Sequence, residues 1–77
     1  MELDDLKTYY IAHYAEIKRL GKLLQDMRST PLNKRNEPWN HTYEELIKQM
    51  EANNAQLASY DVLLWYHYSV DGRDLIH

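Results

Sequence analysis

The sequence predicts an all-α protein, a two-helix antiparallel hairpin that self-associates as a homodimeric four-helix bundle. Three observations carry this expectation. Two stretches of about 26 residues place apolar side chains at alternating steps of three and four, the mark of a helix burying a narrow seam against another helix. Only two glycines and two prolines occur in 77 residues, so long helices meet few breakers. Third, Tyr60–Tyr68 reads Tyr-Asp-Val-Leu-Leu-Trp-Tyr-His-Tyr. In a helix these side chains occupy every side of the cylinder, whereas a surface helix needs an apolar stripe only about 100° wide. Cover from more than one direction is implied.

A chain of this length forms one small domain and buries a low fraction of its surface. Such scaffolds usually need disulfides, a metal or self-association. With no cysteine in the sequence, disulfides are excluded, and that absence fits a reducing compartment. The start, Met1-Glu2-Leu3-Asp4-Asp5, lacks the basic and apolar regions of a signal peptide. No stretch approaches the roughly 20 apolar residues needed to cross a bilayer. A soluble, cytoplasmic protein with no membrane partner is expected.

Helix one is expected at about 3–28, with its seam at Leu3, Leu6, Tyr10, His13, Ile17, Leu20, Leu24 and Met27. Asp4 and Asp5 suit the positive end of the helix dipole and Arg28 the negative end. Gly21 is the weak link, worth about 1 kcal/mol against alanine in mid-helix. It marks either a tolerated defect or the close approach of a neighbouring backbone.

Pro31 ends this helix, since it has no amide donor and disfavours helical geometry in the residue before it. A loop over about 29–41 follows, long for a helix–helix connection. Trp39 is expected to anchor this loop against the helix ends. The competing reading makes it an exposed contact beside Lys34 and Arg35.

Helix two is expected at about 42–70. Thr42-Tyr43-Glu44-Glu45 fits a capping box, with the Thr42 hydroxyl on the Glu45 amide and the Glu45 carboxylate reaching back. The seam resumes at Tyr43, Leu46, Met50, Asn53, Leu57, Tyr60, Leu64 and His67. Gly72 is the expected carboxy-terminal cap, and residues 71–77 are a tail whose Leu75 and Ile76 dock back on the bundle.

Helices of similar length joined by one loop fold back on each other. If Arg28 lies level with Tyr43, Ile17 and Leu20 flank Asn53, His13 lies beside Leu57 and Tyr60, and Leu6 meets Trp65. Most of the aromatic residues then gather at the open end. Tyr9, Tyr14, Val62 and Leu63 lie off the seam and form the expected oligomer interface. His13 is expected to bond a nearby tyrosine, and, if buried and neutral, to loosen the bundle on acidification. Asn53 is expected to fix register and oligomer state.

Catalytic chemistry finds no support. No serine or threonine stands with histidine and carboxylate in a nucleophile motif, and no glycine-rich phosphate loop occurs. His41 with Glu45, and His67 with Asp71, have helical spacing but match no metal motif. No enzyme activity, metal or cofactor is expected.

The formal charge of −3 is modest but uneven. Residues 43–77 carry Lys48 and Arg73 against six carboxylates, and this acidic second half argues against wrapping duplex DNA, where neutralised phosphates supply the affinity. Lys18, Arg19 and Lys22 nevertheless form a basic turn on helix one. A pair of hairpins presenting such a face resembles the Rop-like arrangement in architecture only, which makes RNA binding the first alternative function. A small-ligand or nucleotide sink at the aromatic end is the second.

The favoured expectation is a non-enzymatic interaction protein acting on a larger partner as an adaptor, inhibitor or assembly factor, a class that includes many small phage-encoded inhibitors. Trp65, Tyr66 and Tyr68 are its first contact candidates, because Trp and Tyr dominate binding hot spots. Trp39, Lys34 and Arg35 come next.

Overall fold

A computed structural model describes residues 2–76. Two long helices, α1 (Leu3–Arg28) and α2 (Glu37–Tyr68), fold back on each other, with a short 3₁₀ turn at Leu32–Lys34 between them and a second at Gly72–Leu75 after α2. Among the described residues there is no strand. His77, the end of the expected tail, lies outside the described residues.

The α1 boundaries agree with the sequence. Asp4 and Asp5 lie in its first turn and Arg28 in its last. Beyond Arg28 the Ser29 and Thr30 amides donate to the carbonyls of Asp26 and Met27 at 3.2 and 3.1 Å. Arg35 reaches back, donating from Nε to the Thr30 carbonyl and from Nη2 to the Arg28 carbonyl, each at 3.0 Å. Carbonyls that helix termination leaves orphaned are thereby satisfied.

The start of α2 departs from expectation. The helix begins at Glu37, and the capping side chain is Asn36, whose Oδ1 accepts from the Trp39 amide at 3.0 Å. The capping box at Thr42 does not form, because Thr42 already lies inside the helix. Pro38 is the physical reason that the earlier start succeeds. A first-turn amide has no intrahelical partner, so its absence in proline costs nothing there, and proline's fixed φ suits the helix. The connection therefore spans 29–36 rather than 29–41.

The far end of α2 differs as well. Ser69 takes a left-handed conformation (φ 54°), and its amide donates to the Trp65 carbonyl at 3.0 Å. Ser69 is the cap in place of Gly72, which instead is buried at the start of the closing turn.

Among the described residues five apolar side chains are buried: Leu6, Tyr10, Leu20 and Leu24 from α1, and Leu64 from α2. The Arg28 Nε donates to the Tyr43 hydroxyl at 2.9 Å, so the loop end has the expected register. At the open end Leu6 packs with Leu64 rather than Trp65. Leu64 continues the seam, whereas Trp65 is turned about 100° away from it. Gly21 is the tolerated defect, because a Cβ there would meet only the Met50 Cε at 3.6 Å.

Candidate functional site

The open end is the better packed part of the hairpin. Leu6, Tyr10 and Leu64 form its core, and Leu3, Leu57, Tyr60, Leu63, Val70, Leu75 and Ile76 pack around them. Leu75 and Ile76 thus fold back as expected, and the closing turn adds a third element beside the two helices. Asp71 opens that turn by accepting from the Arg73 amide at 3.0 Å, and it also pairs with the Arg73 guanidinium at 2.8 Å.

Gly72 lets the turn seat. A Cβ there would overlap the Asp61 carboxylate and lie 2.5 Å from the Tyr10 Cζ. The Tyr10 hydroxyl and Asp61 lie side by side against Gly72, and burial, followed by the Asp61 charge, pushes the phenol above its ordinary value. Helical periodicity carries no sign of this knot of Tyr10, Asp61 and Gly72. Its one signal in the sequence is an Asp-Gly pair after a helix, which has the pattern of a cap.

The turn covers one flank of the open end and leaves the outer face of α2 in water. Val62 is 54% exposed, Trp65 59% and Tyr66 79%. With Asp61, Gly72 and Arg73 they line an open depression of about 450 Å³. Tyr68 is 38% exposed and lies 6.4 Å from the His67 ring.

The four side chains expected at the oligomer interface do not form one surface. Tyr9 stacks on Tyr60 at 6.1 Å and is 47% exposed, and Leu63 borders a cleft with Leu6 and His67. Helical spacing sets these two on the flank away from the closing turn. Tyr14 lies on the other flank, against the turn and Ile76. Val62 belongs with Trp65 and Tyr66.

His13 and Asn53 meet in the seam, with the His13 Nδ1 2.9 Å from the Asn53 Oδ1. The Asn53 Nδ2 donates to the Gln49 carbonyl at 2.8 Å. That bond orients the amide, so its oxygen faces His13 and Nδ1–H is the donor. The hydrogen-bond partner is therefore Asn53 and not a tyrosine, although Tyr60 lies against the ring at 5.3 Å. His13 is half-buried, short of the burial on which the expected loosening on acidification is conditional.

At the loop end Trp39 lies not in the expected loop but in the first turn of α2, where it meets Arg35 of the connection. It stacks on Tyr43 at 5.0 Å, Arg35 lies over its face at 4.7 Å, and its Nε1 is sealed from solvent. Together with Leu23, Met27 and Leu46 it lines an apolar trough of about 610 Å³. Lys34 is exposed, whereas Arg35 is half-buried and held by the Arg28 and Thr30 carbonyls. On the basic turn, Lys18 lies over the Tyr14 ring at 5.2 Å, Arg19 pairs with Glu16, and Lys22 is exposed.

Among the described residues no group of three histidines or carboxylates is placed to hold a metal ion. No described helix is long and apolar enough to cross a membrane. Comparisons with protein-family models, curated proteins and solved structures found no match.

Proposed function

We propose that the protein is a non-enzymatic interaction module that works as a pair of hairpins, each contributing two helices to a four-helix bundle and offering its aromatic end to a larger protein. The observation that carries this reading is excess surface. The chain exposes 5720 Å², whereas a compact monomer of 9.3 kDa exposes about 5,000 Å². The difference of roughly 700 Å² is close to what one partner buries in an interface of standard size, about 800 Å².

Shape supports the same conclusion. The radius of gyration is 15.8 Å and the extents are 50 × 20 × 15 Å, against about 11–12 Å for a compact domain of this length and about 15 Å for one twice as long. The flank bearing Tyr9, Leu23 and Leu63 is the surface best suited to the second copy. It is partly apolar, it has clefts at both ends, and the closing turn leaves it uncovered.

Light scattering on the chain and on a Tyr9→Glu/Leu23→Glu variant tests the reading. Both side chains are partly exposed, so the variant is expected to keep its helix content while its mass falls by half. A variant with undiminished mass, or a parent already monomeric, would count against it. RNA binding through Lys18 and Lys22 competes with this reading, and a salt-sensitive mobility shift with RNA would favour it.

A further inference from the structure

We propose that the outer face of the open end, centred on Trp65 and Tyr66, docks a basic segment of the partner protein. This rests on the interaction reading above and adds the chemistry of the partner. The antiparallel fold brings residues 2–10 alongside 61–76, so the two most acidic parts of the chain share one end. Glu2, Asp4, Asp5, Asp61, Asp71 and Asp74 gather there against Lys7 and Arg73, a net of −4, while residues 16–51 carry seven cations and six carboxylates, a net of +1. The whole net charge of the molecule therefore lies at the end that carries its aromatic face, where Asp61 and Asp71 line the depression itself.

The cation nearest that face does not offset it. Arg73 is joined to Asp71 through Nε and Nη2. Asp61 lies beside Tyr10 and lines the edge of the depression that Val62, Trp65 and Tyr66 also line. A face that combines exposed aromatic rings with negative potential suits lysine and arginine side chains. Their aliphatic stems pack on the rings, and their cations meet the ring faces and the surrounding carboxylates. A second copy presenting its own acidic end would be repelled, and its loop end offers only the weak charge of +1. An acidic protein or a nucleic acid would be repelled outright.

Calorimetric titration of the full chain with two helical peptides tests the proposal. The peptides share one leucine stripe and differ in flanking residues, arginine in one and glutamate in the other. The arginine peptide is expected to bind at least about tenfold more tightly, and to weaken at least about fivefold between roughly 0.05 and 0.25 M salt as screening sets in. Trp65→Ala/Tyr66→Ala is expected to reduce its affinity at least about tenfold, and Asp61→Asn about threefold. Glu44→Gln/Glu51→Gln, toward the loop end and midway along α2, is expected to leave binding unchanged.

Equal affinity for the two peptides, or binding indifferent to Trp65 and Tyr66, would overturn the proposal. If both peptides bound equally and both needed Trp65 and Tyr66, charge selection would fail while the interaction reading stood. If the chain were monomeric and bound neither peptide, both would fall.

Discussion

Gly72 and Gly21 predict opposite responses to the same substitution. At Gly72 an added methyl group would overlap the Asp61 carboxylate and press on the Tyr10 ring. Overpacking of this kind costs about 1–3 kcal/mol. The closing turn can also escape by detaching, which sets a ceiling. Detachment exposes Val70, Leu75 and Ile76, each only partly buried and so worth less than the about 1.5–3 kcal/mol of full burial. It also returns about 1–2 kcal/mol of backbone entropy per freed residue. Gly72→Ala is therefore expected to destabilise by about 1–3 kcal/mol, or about 5–20 °C in melting temperature for a chain of this size.

At Gly21 the new methyl meets only the Met50 side chain at ordinary contact distance. The glycine there costs helix entropy without need, so Gly21→Ala is expected to stabilise by about 0.5–1 kcal/mol. Thermal unfolding followed by circular dichroism, at one fixed protein concentration because assembly shifts the midpoint, reads both changes. Gly72→Ala within about 0.5 kcal/mol of the parent, or a shift of the same sign for both variants, would refute the packing described for the closing turn.

Three further expectations concern caps and pH. Asn36→Ala should lower stability by about 1 kcal/mol, whereas Thr42→Ala, inside the helix, should change it by less than about 0.5 kcal/mol; urea midpoints in the reverse order would restore the capping box. Ser69→Gly should raise stability by up to about 1 kcal/mol, because Ser69 holds a positive φ that glycine adopts freely, and a loss in urea unfolding would contradict that cap. Tyr10 has a raised pKa in the folded chain, so its contribution is complete below the unfolded value of about 10 and is lost as pH rises through the folded value. Tyr10→Phe should cost about 0.5–1.5 kcal/mol at neutral pH and lose less stability than the parent at alkaline pH; parallel decline of the two melting temperatures would remove this role for Tyr10.

Two long helices, the α1 boundaries and the Arg28–Tyr43 register were legible because steps of three and four and a proline are local signals. The returning Leu75 and Ile76 were legible as apolar residues with nowhere else to go. The start of α2 is not legible because two capping patterns, Asn36 with Pro38 and Thr42 with Glu45, compete in one stretch, and the sequence does not show which the chain uses. The role of Gly72 is hidden because a glycine after a helix has the pattern of a cap, while the close approach of Tyr10 and Asp61 is visible only in three dimensions. The acidic surround of Trp65 and Tyr66 was half legible. The charge of 43–77 stood in the sequence, but its union with Glu2, Asp4 and Asp5 depends on the fold.

Sedimentation equilibrium of the unaltered chain at low micromolar concentration tests most directly whether the hairpin is half of an assembly. A mass near twice 9.3 kDa, with unfolding midpoints that rise with protein concentration, is the predicted result. A stable, fully helical particle of 9.3 kDa, with midpoints independent of concentration, would contradict it.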